Sequence, residues 1–130
     1  MSDPDLKQRV GREGEAAAER FLRKQGYRIL AKNLRSDLGE LDLVAEDGHV
    51  LVFIEVKTRR TDGYGGAVEA VHGRKQKKLI ALASQYLARY HLMNRQCRFD
   101  VVLLQGGAQG VTRIDHVKHA FEVPGDDSRW

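Results

Sequence analysis

Apolar positions along the chain recur with two different periods, and the change between them divides it into elements. Ala17, Ala18, Phe21 and Leu22 fall at helical spacing, which predicts a helix over residues 5–25 stopped by Gly26. Residues 27–30 read as a short strand and 32–38 as a polar connection. Residues 39–57 form two alternating runs around Asp47-Gly48, the strongest short-range hairpin signal. Gly63, Gly65, Gly66 and Gly73 lie among polar residues, so 58–73 is expected to be a mobile flap rather than an element. Leu79, Leu82, Ala83, Tyr86, Leu87 and Tyr90 mark a second helix over 74–90. Two short apolar runs, 99–104 and 111–114, then flank Gly106-Gly107 as an antiparallel pair. The order is helix, three strands, helix, two strands, which gives an α/β architecture: a mixed sheet with helices packed on it.

At 130 residues the chain suits one domain, 1–130, with 1–4 and 124–130 expected to fray. Forty-two per cent of residues are hydrophobic, which argues against disorder, yet no apolar run approaches the ~20 residues a membrane span requires. The start lacks a basic region leading into an apolar one, and the single Cys97 has no internal disulfide partner. A cytoplasmic location is therefore expected. Lys and Arg outnumber Asp and Glu by 22 to 18, a modest excess that suits a polyanion without demanding one. Arg59, Arg60, Arg74, Lys75 and Lys78 cluster after the hairpin, as either a phosphate-binding rim or a solvated helix start.

A two-residue turn centred on Asp47-Gly48 would pair Glu46 with His49, and so Val44 with Leu51, Asp42 with Phe53 and Glu40 with Glu55. Because side chains alternate, one face would then hold Leu41, Leu43, Ala45, Val50, Val52, Ile54 and Val56 as a core. The other would hold Glu40, Asp42, Val44, Leu51, Phe53, Glu55 and Lys57, with its charges gathered away from the turn. Like charges facing one another are destabilising, and Asp42 would sit diagonally from Glu55 at about 7–8 Å. A divalent cation would relieve that repulsion, and an oxygen-only donor set favours Mg²⁺ or Mn²⁺ over zinc. The alternative is a solvated face whose charges pair among themselves. Against it, Val44, Leu51 and Phe53 on the same face need a cover, which would leave the charges beside them partly desolvated.

Two helical residues aim at the same region. Glu15 points within about 20° of Leu22 on the buried stripe, so it either serves the acidic group or reaches water at the stripe's edge. Gln76 precedes Leu79 by three residues and points inward from the first turn of the second helix, whose free N–H groups suit a phosphate oxygen or simple capping.

Asp42 followed after twelve residues by Glu55-Val56-Lys57 resembles the PD-(D/E)xK nuclease superfamily. More closely, Gly14-Glu15, Gly26-Tyr27 with Asn33, Gly39-Glu40-Leu41-Asp42, Phe53-Ile54-Glu55-Val56-Lys57, Lys75-Gln76 and Arg98-Phe99-Asp100-Val101 together resemble the YraN family of small bacterial proteins. The resemblance implies a restriction endonuclease-like three-layer fold related to Holliday junction resolvases. It implies Asp42, Glu55 and the Val56 carbonyl as metal ligands, Lys57 as the catalytic lysine and Glu15 as the helix-borne acid. Gln76 would orient a neighbour and Glu40 would help bind a second ion. The name-giving proline is replaced by Leu41. The expected activity is a Mg²⁺- or Mn²⁺-dependent endonuclease hydrolysing phosphodiester bonds in DNA, branched or junction DNA among the candidates, with Arg59, Arg60, Arg74, Lys75 and Lys78 on the backbone. A homodimer is the expected assembly for a resolvase-like fold. The competing readings are a non-catalytic nucleic-acid-binding module and a protein-interaction scaffold.

Overall fold

The computed structural model describes residues 6–60, 73–107 and 110–123, with the side chains of 6–11, 60 and 107 outside that description. Helix α1 spans Leu6–Lys24, followed by β1 Arg28–Ser36, β2 Gly39–Asp47 and β3 Val50–Arg60. Helix α2 spans Gly73–Arg89, before β4 Cys97–Gly107 and β5 Gly110–Val117. The strands form one sheet in the order β1-β2-β3-β4-β5. Only the β3–β4 pair is parallel. A parallel pair needs a crossover, and α2 lies in it. The predicted element order holds, and the result is a three-layer α/β fold. No helix among the described residues is long and apolar enough to cross a membrane.

Each sheet face has its own core. On one side Ala17, Ala18 and Leu22 of α1 pack with Leu43, Ala45, Val52, Ile54, Val102 and Leu104. On the other, Leu79, Leu82, Ala83 and Leu87 of α2 pack with Leu41, Val44, Leu51, Phe53, Phe99 and Val101. The helical stripes read from the sequence are the surfaces that make these contacts.

Gly14 sets how closely α1 approaches the sheet. A Cβ there would fall on the Thr58 hydroxyl and within 3.2 Å of Leu104 Cδ1. Within a helix Gly→Ala ordinarily gains about 1 kcal/mol, but overpacking costs about 1–3 kcal/mol. Gly14→Ala is therefore expected to lower stability in urea unfolding. In a Thr58→Ala background, where the obstructing hydroxyl is gone, the same change should become neutral or stabilising.

Three sequence expectations are corrected. The polar segment 32–38 is largely strand, because β1 is an edge strand and Ala31 and Leu34 suffice to anchor it. Residues 58–60, expected in the flap, continue β3 beside Leu104, Gln105 and Gly106. The rest of the expected flap, 61–72, lies outside the described residues, as do the ends read as frayed, 1–4 and 124–130. The hairpin register also differs by two. Asp47 pairs with Val50 and Val44 with Phe53, so Gly48-His49 forms the turn. Gly48 has φ +61° and His49 is not among the positive-φ residues. That is the pattern of a turn with glycine first, not of one requiring positive φ at two positions. A shift of two preserves which residues share a face.

At the other end of the α1 face, buried Asp100 accepts Arg98 Nε at 2.9 Å and the His119 backbone N–H at 3.1 Å, and meets His116 Nε2 at 2.7 Å. Burial pushes its carboxyl up, but His116, Arg98 and the His119 amide outweigh it, so the net shift is downward. Arg98 also reaches Asp47 at 3.0 Å and the Tyr27 hydroxyl. These contacts tie the end of α1, the β2–β3 turn, β4 and β5 together.

Candidate functional site

The β2–β3 ladder ends at Leu43 and Ile54. Continued at the same register it would set Asp42 across from Glu55. Instead Asp42 Oδ2 accepts the Val56 N–H at 2.7 Å, so a side chain takes the place of a strand carbonyl. Its carboxylate thus lies between the two sheet faces and within electrostatic reach of acids on both.

On the α1 side, carboxylate oxygens of Glu15, Glu40 and Asp42 all lie within 4.8 Å of one another. Burial pushes the Asp42 carboxyl up to about 7, reinforced by Glu55, Glu15 and Glu40 and opposed by the Val56 N–H. Glu15 is also raised, by burial first and Glu40 second, with Arg35 pulling it back. On the α2 side, Glu55 Oε1 receives two ammonium groups, Lys75 Nζ at 2.5 Å and Lys57 Nζ at 3.7 Å. Burial and the neighbouring Lys75 hold Lys57 below the usual lysine range. Burial would lower Lys75 as well, but its contacts with Glu55 and Lys57 outweigh it and hold it above that range. Of the two amines, Lys57 is the one disposed to release its proton.

The sequence grouped Glu40, Asp42, Glu55 and Lys57 on one face. The structure divides them: Glu40 joins Glu15 on the α1 side, Glu55 and Lys57 join Lys75 on the α2 side, and Asp42 bridges the two groups. Leu41 correspondingly leaves the core face of Leu43 and packs against α2. Lys75, read as a rim residue, reaches inward to Glu55. Gln76 is half-buried in the first turn of α2, and Arg59 and Val56 are half-buried in β3. The Arg60 side chain lies outside the described residues. Arg74 and Lys78 line, with Lys75, Leu79, Gly39 and Glu40, a cleft between the start of α2 and the start of β2.

The first turn of α2 contains no acidic residue. Cations at the positive end of a helix dipole are unfavourable by about 0.3–1 kcal/mol each, so this helix start is built to face anions, of which Glu55 is one. Sequence reasoning passed over Arg35, whose guanidinium stands 3.6 Å from Glu40. It lay in the segment read as a connection, and only the strand pairing Arg35 with Glu40 reveals it.

Residues 14–104 match the model of a family described as "Uncharacterised protein family UPF0102". The chain is 51% identical over 118 residues to a UPF0102 protein of Symbiobacterium thermophilum, covering 91% of this chain and all of that one. It is 47% identical over 118 residues to a UPF0102 protein of Pelotomaculum thermopropionicum, covering 90% and 98%. A UPF0102 protein of Anaeromyxobacter dehalogenans is 40% identical over 128 residues, covering 98% and 95%.

Proposed function

The chain belongs to the UPF0102 family, and from that premise and the chemistry of its acidic centre we propose that it is a metal-dependent phosphodiesterase acting on DNA. The observation that carries this reading is the convergence of Glu15, Glu40 and Asp42 from two elements to within 4.8 Å, beside a lysine held below its usual range. An Asp42 carboxyl raised in part by Glu15 and Glu40 beside it fits a hard divalent cation, Mg²⁺ or Mn²⁺, whose charge would relieve that repulsion. Asp42 and Glu40 would hold the ion with Glu15, while Glu55 and the Val56 carbonyl complete the set expected from the sequence. When bound, such an ion neutralises the carboxylates and polarises a phosphoryl oxygen.

The remaining roles belong to the chain itself. Lys57, deprotonated more readily than an ordinary lysine, takes a proton at Nζ from the attacking water or orients it. Lys75 pairs with Glu55 and keeps the proton off Lys57. Gln76 orients a neighbour from the same turn. Arg74 and Lys78 on the cleft, together with Arg59 and Arg60 at the end of β3, would hold the DNA backbone, branched or junction DNA among the candidates. A homodimer remains the proposed assembly.

Calorimetric titration with Mn²⁺ tests the centre. Asp42 is protonated below about pH 7 and must be ionised to hold a cation, so affinity should fall as pH drops, approaching tenfold per pH unit. Binding at pH 6 should release close to one proton, read from two buffers of different ionisation enthalpy. Absence of binding at millimolar Mn²⁺ and pH 8 would remove the metal from the proposal. The two ammonium groups on Glu55 favour one second reading, a nucleic-acid-binding module whose acids are neutralised internally. It expects salt-sensitive DNA binding that survives Asp42→Asn and Glu55→Gln, with no cleavage.

A further inference from the structure

Among the described residues three non-glycine positions have positive φ, and Asn33, at +53°, is the one that lies inside a strand. Left-handed backbone is strained for an L-residue, least so for asparagine, and such strain is retained only where the surroundings require it. In β1, Lys32 pairs with Leu43 and Leu34 with Leu41, which leaves Asn33 facing Asp42.

Both strands change face at that pair. Leu43, Val44 and Ala45 alternate regularly between the α1 core, the α2 core and the α1 core. Leu41 should then return to the α1 core, but it packs with Val44 in the α2 core. On β1, Ala31 and Leu34, three residues apart, both pack on the α2 side, where a regular pleat repeats a face every second residue. Each strand therefore changes face at this pair, and Asn33 and Asp42 sit where it happens; β1 also changes face earlier, at the bulge between Ile29 on the α1 side and Ala31 on the α2 side. The rotation places Glu40 and Arg35 toward Glu15 and turns the Asp42 carboxylate toward β3 and the Val56 N–H. Without it, the Glu40 carboxylate would turn away from Glu15 and the three-carboxylate group would not assemble.

We propose that Asn33 is a positioning residue whose left-handed backbone rotates the β1–β2 pair, docking Asp42 on the Val56 N–H and bringing Glu40 to Glu15. Its bearing on activity rests on the cation site argued above; its structural part does not. Any residue that adopts positive φ readily should serve, and one that resists it should not.

The test compares Asn33→Gly, Asn33→Ala and Asn33→Val, reading the Val56 amide by NMR and hydrogen exchange in metal-free protein, then Mn²⁺ affinity by calorimetry. Asn33→Gly should keep the Val56 shift and protection and bind Mn²⁺ within about twofold of the parent. Asn33→Val should lose that protection relative to the Ile54 amide and weaken Mn²⁺ binding about tenfold or more, the scale of one strained residue. Asn33→Ala, less resistant to positive φ, should fall between them and supplies the comparison if the valine variant does not fold. An unchanged Val56 amide in the alanine or valine variant would overturn the proposal. So would a glycine variant as impaired as alanine, since the side chain and not the backbone would then be responsible. A parent protein that binds no Mn²⁺ yet shows the Val56 effect would refute the cation site and leave the positioning role standing.

Discussion

Asp42→Asn should make the metal-free protein more stable while removing its response to Mn²⁺. At pH 8 the native Asp42 is an ionised, largely buried carboxylate surrounded by Glu55, Glu15 and Glu40, and its pKa of about 7 measures how strongly the fold resists that charge. Set against an unfolded value near 3.9, the shift corresponds to roughly 4 kcal/mol. Partial exposure and rearrangement of the neighbouring acids reduce the expected gain to about 2 kcal/mol, or roughly 8 °C in Tm. An asparagine oxygen can still accept the Val56 N–H, so the geometry need not change. The sign follows from a folded pKa raised above the unfolded one: the penalty is absent below pH 4, grows between 4 and 7, and is complete above 7. Asparagine should thus be near neutral at pH 4 and stabilising at pH 8. With saturating Mn²⁺ the order should reverse, because only the parent gains binding free energy, about 2.7 kcal/mol at a hundredfold excess over Kd. Thermal melts at pH 4, 6 and 8, with and without Mn²⁺, read all of this; a destabilised metal-free variant at pH 8 would contradict it.

Lys57→Ala should reduce the rate of phosphodiester cleavage by about 10²- to 10⁴-fold, the usual range for losing a proton-transfer group, while leaving DNA and Mn²⁺ affinity close to the parent's. The separation is expected because the ammonium shares Glu55 with Lys75, which alone keeps that carboxylate paired at 2.5 Å. Lys75→Ala should act differently. Lys75 lowers Lys57 by proximity, so without it Lys57 holds its proton more tightly against Glu55, and the rising limb of the pH–rate profile should move to higher pH. Single-turnover rates across pH 6–10 distinguish a proton-transfer role from a structural one, in which the profile keeps its midpoint.

The helices, the element order and the acidic content of the hairpin are legible because each rests on a local pattern: helical spacing in Leu79, Leu82 and Ala83, and an apolar run rich in β-branched residues from Val50 to Val56, broken by Glu55 alone. Three things are not local. The turn register depends on whether Asp47-Gly48 or Gly48-His49 takes the two central positions, and these two solutions leave the faces unchanged. The length of β1 depends on its being an edge strand, for which Ala31 and Leu34 are enough apolar content. The division of the charged face depends on a rotation at Asn33 and Asp42, whose cause is a backbone angle that no hydrophobic pattern encodes. The contacts of Arg98 and Asp100 with Tyr27, across more than seventy residues, were likewise visible only once the chain was folded.

Incubating the purified protein with Mn²⁺ at pH 8 and a panel of branched, flapped, single-stranded and linear duplex DNA tests the catalytic role most directly, with EDTA and Asp42→Asn as controls. A metal-dependent phosphodiesterase should cleave at least one of these structures, with the products absent in EDTA and reduced at least a hundredfold in the variant. DNA left intact throughout the panel, or cleaved equally by Asp42→Asn, would contradict it.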